Sequence, residues 1–218
     1  MWNEKTTILF DFDGTIVDTS EGITKGAAFA LEQYGIQVDD RATLRRFIGP
    51  PLKYAFREFY GFDEQKADEA AAWFRRYYRE TGVRECRPYD GVEQLLRHLK
   101  ERGKRVLLAT SKPQLFAEQI LERFDLMRYF DFISGSCLDG TRTEKPEVIA
   151  YALKHTGIQI DSSVMVGDRK FDIEGAHQFG LPCIGVLYGF GDRAEFERAG
   201  ADAIASTPAE LEGMLLKP

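Results

Sequence analysis

The chain has 218 residues, of which 44% are hydrophobic and 29% charged, an ordinary globular balance with room for one large domain or one domain carrying a smaller one. Its formal net charge of −6 argues against nucleic acid or an anionic membrane as a partner, so a phosphorylated ligand would need a local cationic site. The three cysteines, Cys86, Cys137 and Cys183, fit neither a zinc spacing nor a disulfide framework, which predicts reduced thiols in a cytoplasmic protein.

In chain order, Met1-Trp2-Asn3-Glu4-Lys5 lacks the pattern of a signal peptide, and no apolar run approaches membrane-spanning length. Residues 6–13 read as a buried strand. From about Ser20 the spacing becomes helical, with Ile23, Ala27, Ala30, Leu31 and Tyr34 on one face of a helix over Gly22–Tyr34. Further helices are predicted at Arg41–Phe47, Leu52–Phe59 and Glu64–Glu80, punctuated by Gly35, Gly49-Pro50-Pro51 and Gly61. Residues 19–82 therefore form an all-helical insert.

After Pro88-Tyr89-Asp90-Gly91 the rhythm is strand then helix. Val92, Leu95, Leu96 and Leu99 make a helix face that Gly103 stops, and Arg105–Ala109 is a strand. Pro113 opens a helix, Phe130–Ser134 is a short strand, and Pro146 opens another helix. Val164–Val166, Cys183–Leu187 and Ala203–Ala205 are strands, with helices at Phe171–Phe179 and Pro208–Leu216. Such alternation predicts an α/β fold: a doubly wound, Rossmann-like parallel sheet over 1–18 and 83–218, with its site at the carboxyl ends of the strands.

The chemistry-bearing residues fall at those ends. Ile8-Leu9-Phe10 leads into Asp11 and Asp13, then Gly14 and Thr15. In an extended chain Asp11 and Asp13 point to one side, and carboxylates that close resolve their repulsion through a shared proton or a metal ion. Gly14 allows a sharp turn. Thr110-Ser111-Lys112 follows the next strand, Lys145 precedes the helix opened by Pro146, and Gly167-Asp168 follows Val164–Val166, with Asp172 four residues on. His98, His155 and His177 lie on predicted helices without matching spacing and read as structural.

Asp11-Phe12-Asp13-Gly14-Thr15 resembles the first motif of the haloacid dehalogenase superfamily of phosphohydrolases. Thr110, Lys145-Pro146 and Gly167-Asp168 with Asp172 are similar to its remaining three motifs, in order. Ser111 stands where phosphoglycolate-phosphatase-like members usually carry Asn. The resemblance spans essentially the whole chain, and residues 19–82 look like a C1-type cap.

It implies a phosphomonoesterase in which Asp11 is the nucleophile that forms an aspartyl-phosphate, and Asp13 is the general acid and base. Gly14, Thr110, Ser111 and Lys145 would hold the phosphoryl group, with Asp172 orienting Lys145 or a metal-bound water. The implied cofactor is Mg²⁺, a cation that takes octahedral oxygen ligands, here carboxylates of Asp11 and Asp168 and the backbone carbonyl of Asp13. Arg169 and Lys170 either add positive potential or are simply exposed. The helical cap would close over the site and choose a small phosphorylated substrate, through residues such as Arg45, Arg46, Lys53 and Arg57. Phosphoglycolate and a nucleoside 5′-monophosphate both fit, the latter through Gly135–Arg142 and Val186–Gly191, which look like 5′-nucleotidase-type members.

Two alternatives share part of the pattern. A mutase of the β-phosphoglucomutase kind would keep Asp11, Asp13 and the cap. A non-catalytic phosphate-binding or receiver-type module would carry no helical insert after its first strand. A nucleotide-cofactor fold is disfavoured because no Gly-x-Gly-x-x-Gly follows a strand. A monomer or homodimer is expected.

Overall fold

The computed structural model describes residues 1–217; Pro218, the final residue of the expected α/β domain, lies outside them. Strand β1 (Thr7–Phe10) is followed by a short β2 (Val17–Asp18), helices α1 (Ser20–Glu32), α2 (Leu52–Tyr60) and α3 (Glu64–Glu80), and a short β3 (Arg87–Pro88). Then come α4 (Val92–Glu101), β4 (Arg105–Pro113), α5 (Gln114–Arg123), β5 (Phe132–Ser136), α6 (Lys145–Thr156) and β6 (Ser163–Gly167). The chain ends with α7 (Lys170–His177), β7 (Cys183–Val186), α8 (Arg193–Ala199), β8 (Ala203–Ala205) and α9 (Pro208–Leu216). It divides into two units, one of Met1–Val17 with Pro88 onward, the other of Asp18–Arg87.

The first unit is an α/β fold around a six-stranded sheet of order β5-β4-β1-β6-β7-β8. Its pairings are parallel. β1 and β6 are buried along their whole length, as continuous apolar runs in a sheet covered on both faces must be. Leu9, Leu107 and Met165 pack with Val148, Ile149, Ile173 and Phe196 in one apolar layer. β1 lies between β4 and β6, where the strand order reverses, and such a switch point opens a crevice at the carboxyl ends. The register pairs Phe10 with Leu108 on one side and with Val166 on the other, so Asp11 emerges at the floor of that crevice.

The second unit is built on α1, α2 and α3. Phe29 of α1 meets Trp73 and Tyr77 of α3, with ring centroids 6.3 and 5.6 Å apart. Lys25 pairs with Glu85 at 2.6 Å, and the Tyr77 hydroxyl donates to the same carboxylate at 2.8 Å.

Several elements differ from the sequence expectation. Arg41–Phe47 is a 3₁₀-helix: the Asp40 side chain accepts from Ala42 N–H at one end, and Gly49-Pro50-Pro51 blocks continuation at the other. The strand expected from Phe130 begins at Phe132 because a 3₁₀ turn occupies Met127–Tyr129. A helix α8 at Arg193–Ala199 is not expected from the sequence, since Phe196 is its one buried residue and no apolar stripe signals it. β4 runs past Ala109 to Pro113, with a register shift against β5 between those residues.

Candidate active site

β1 ends at Phe10, yet the Asp11 N–H still donates to the Val166 carbonyl at 2.8 Å. The chain then turns: the N–H groups of Thr15, Ile16 and Val17 all donate to the Phe12 carbonyl at 2.9–3.2 Å. The strand expected to reach Asp13 is therefore shorter, and the two motif carboxylates take different partners. Asp11 Oδ1 accepts from Lys145 Nζ at 2.6 Å, whereas Asp13 accepts from Lys112 Nζ at 2.9 and 3.2 Å. Gly14 has φ +87°, and a Cβ there would land on the Asp168 carboxylate.

Lys145 is the first residue of α6, inside the helix that the sequence placed just after it. Its ammonium also donates to the Ala109 carbonyl at 3.0 Å and lies 2.8 Å from Asp172 Oδ1. Burial opposes the charge, but Asp11 and Asp172 outweigh it and hold the ammonium protonated, above the usual lysine range. The other Asp172 oxygen accepts from the Arg169 N–H at 3.0 Å, fixing the start of α7. A Cβ at Gly167 would collide with the Asp172 carboxyl, so the end of β6 must carry no side chain there.

Asp168 is completely buried; its Oδ2 accepts from the Phe190 N–H at 2.8 Å, and its Oδ1 has no hydrogen-bond partner among the described residues. Burial pushes its carboxyl well above the ordinary range, with the charges of Asp172 and Asp11 adding to the effect. Burial likewise raises Asp172, to about 6, with Lys145 working in the opposite sense.

Carboxylate oxygens of Asp11, Asp168 and Asp172 lie within 4.8 Å of one another. With all three ionised, three carboxylates against one ammonium would leave two negative charges in a buried volume, the excess that the raised Asp168 and Asp172 carboxyls reflect. That excess, together with the orphaned Asp168 Oδ1, fits a divalent oxygen-seeking cation.

Thr110 is buried, and its hydroxyl oxygen accepts from the Lys112 N–H at 3.2 Å, which leaves the hydroxyl proton free to donate. Ser111 is partly exposed beside it. Arg169 turns to Glu195, with Nε donating at 3.0 Å. In the helical unit, Arg46 stacks 4.6 Å from the Phe59 ring centroid, Lys53 is ion-paired with Asp68, and Arg45 and Arg57 are exposed.

Lys112 has no role in the motifs read from the sequence, yet it pairs with Asp13 in the structure. Alternation along a strand places Thr110 and Lys112 on one side, and that signal could have found it. The Phe190 N–H was also missed; a backbone donor leaves no trace in residue type.

A family model for haloacid dehalogenase-like hydrolases matches residues 8–186. A 5′-nucleotidase of Pseudomonas aeruginosa is 48% identical over 188 residues, which cover 86% of this chain and 85% of that protein. A tyrosine-protein kinase, PtkA of Mycobacterium tuberculosis, is 35% identical over 94% of this chain and 69% of its own length. Among solved structures, a predicted phosphatase from Clostridium acetobutylicum superimposes with a TM-score of 0.95 at 46% identity, over 97% of this chain and 98% of that one.

Proposed function

The chain belongs to the haloacid dehalogenase-like hydrolase family as a phosphatase of phosphoric monoesters, and we propose that it cleaves a small phosphorylated metabolite of the nucleoside 5′-monophosphate type. The observation that carries the mechanism is the setting of Asp11 at the end of β1, with one carboxylate oxygen held by Lys145 and Asp13 two residues on. The 5′-nucleotidase at 48% identity favours a nucleotide over phosphoglycolate.

Mg²⁺ held by Asp11, Asp168 and the Asp13 backbone carbonyl would neutralise the substrate phosphate and the charge that builds on it. Lys145 fixes Asp11 Oδ1, so Asp11 Oδ2 carries the lone pair that attacks phosphorus. The bond from phosphorus to the leaving oxygen breaks, its electron pair stays on that oxygen, and the Asp13 carboxyl supplies the proton. Water then attacks the aspartyl-phosphate, gives its proton to Asp13, and releases phosphate with Asp11 restored. Thr110 and Ser111 hydroxyls, the Gly14 region and the Lys145 ammonium hold the phosphoryl oxygens through these steps. Asp172 keeps Lys145 aimed at Asp11.

The test is phosphate release with excess Mg²⁺, with and without chelator, from nucleoside 5′-monophosphates, phosphoglycolate, sugar phosphates and an aryl phosphate. Asp11→Asn should stay folded and lose turnover; a variant keeping most of the wild-type rate would remove Asp11 as the nucleophile. Phosphoryl transfer to tyrosine in place of release to water would redirect the reading toward kinase chemistry.

A further inference from the structure

We propose that Lys112 is the positioning residue for Asp13, serving leaving-group departure in particular; this rests on the phosphatase reading above. Lys112 is 6% exposed, and its ammonium reaches both oxygens of the Asp13 carboxylate, at 2.9 and 3.2 Å. That two-point contact sets the rotation of the carboxylate as well as its place. The same ammonium lies 5.6 Å from the centroid of the buried Phe12 ring, and its own N–H holds the Thr110 hydroxyl at 3.2 Å. One residue at the end of β4 thus fastens the acid that follows β1 and the hydroxyl at the end of its own strand.

The chemistry gives this contact a direction. When the bond from phosphorus to the leaving oxygen breaks, the electron pair goes to that oxygen and the proton of the Asp13 carboxyl follows it. The products are the neutral alcohol and the Asp13 carboxylate, so the negative charge of departure ends on Asp13, beside Lys112. An ammonium already in place stabilises that charge without reorganisation. Phosphate esters of poor leaving groups need the proton most, and esters of acidic phenols need it least. Lys112 therefore acts selectively on the former, which a purely structural ion pair would not do.

The experiment compares kcat/KM of wild type, Lys112→Met, Lys112→Arg, Asp13→Asn and the double variant Asp13→Asn/Lys112→Met, with excess Mg²⁺. The substrates are dinitrophenyl, nitrophenyl and phenyl phosphates, and, as the alkyl ester, a nucleoside 5′-monophosphate. This parameter reports the first irreversible step and is unaffected by slow hydrolysis of the aspartyl-phosphate. General acid catalysis is worth roughly 10²–10⁴-fold, so Lys112→Met should lose about 10²-fold on the alkyl ester and less than about fivefold on the dinitrophenyl ester. Lys112→Arg should recover part of the selective loss. The double variant, which leaves neither charge unpaired, should be no slower than Asp13→Asn, because Lys112 acts through Asp13.

A uniform loss across the series, or an additive loss in the double variant, would overturn the proposal while leaving the phosphatase reading intact. A wild type that hydrolyses none of the esters overturns both. Where Lys112→Met melts too early to assay, Lys112→Arg against wild type reads the same slope: steeper leaving-group dependence supports the proposal and an unchanged one refutes it.

Discussion

Replacing Lys145 by Met keeps most of the side-chain volume and removes the ammonium paired with Asp11 and Asp172 in the cluster that they form with Asp168. The ammonium is almost wholly buried, lies 2.6 Å from Asp11 and 2.8 Å from Asp172, and also donates to the Ala109 carbonyl at 3.0 Å. Breaking a buried ion pair by deleting one partner costs about 3–5 kcal/mol, because the other charge is left uncompensated. In a chain of this size 1 kcal/mol moves the melting temperature by about 2–4 °C, so the metal-free variant should melt roughly 6–20 °C below wild type at about pH 8.

The deficit should shrink with acid. Asp172 already sits near 6 with Lys145 present, and without it the carboxyls take up protons more readily, which removes the uncompensated charge. Thermal melts of both proteins at about pH 8 and about pH 5, each with and without Mg²⁺, measure this. Mg²⁺ should recover part of the lost stability at the higher pH but none of the activity. A variant that melts within about 1 °C of wild type, or one with the same deficit at both pH values, would refute the assignment of Lys145 as the neutralising charge.

Two further outcomes follow from the same geometry. Asp168 and Asp172 both have raised carboxyls in the folded chain, so each contributes stability that is complete below the unfolded range near 3.8 and is lost as pH rises through its folded value, about 6 for Asp172. For Asp172 that loss amounts to about 3 kcal/mol, and Mg²⁺ should therefore raise the melting temperature far more at about pH 8 than at about pH 5; equal shifts would contradict the metal site. Gly167→Ala should cost about 1–3 kcal/mol and most of the turnover, because the new methyl displaces the Asp172 carboxyl from Lys145; normal kinetics in this variant would show that Asp172 does not aim the lysine.

The fold was legible because each strand of the sheet is an apolar run bounded by turn residues, and because parallel pairing turns order in the chain into order in space. Glu64–Glu80 and Pro208–Leu216 have the bounds that their caps imply: Asp63 accepts from Lys66 N–H at 2.8 Å, and Thr207 accepts from Glu210 N–H at 3.1 Å. The seven-residue α8 was not legible, since it buries Phe196 alone and owes its place to the Asp192 cap and to Glu195, which accepts from Arg169 and the Lys170 N–H. Periodicity detects what a helix buries, and α8 buries almost nothing.

The candidate site shows where residue patterns stop. The spacing of Asp11 and Asp13 implies a repulsion that a shared proton or a metal would relieve. In the structure each of these carboxylates has its own lysine, Asp11 that of α6 and Asp13 that of β4. Nothing in Asp-x-Asp announces two cations, because both arrive from strands and helices about 100 or more positions away, 99 for Lys112 and 134 for Lys145. The arrangement also gives the two carboxylates different surroundings. Under the proposed mechanism one carboxylate attacks phosphorus and the other serves the leaving oxygen, and the two ion pairs differ in how much access each leaves. The Asp11 pair is sealed, and its lysine is shared with Asp172; the Asp13 side chain is 13% exposed, open enough to meet a leaving group. The proposed division of labour between the two acids follows that difference in access: Asp11 is held fast at the floor of the crevice, and Asp13 is open to the leaving group.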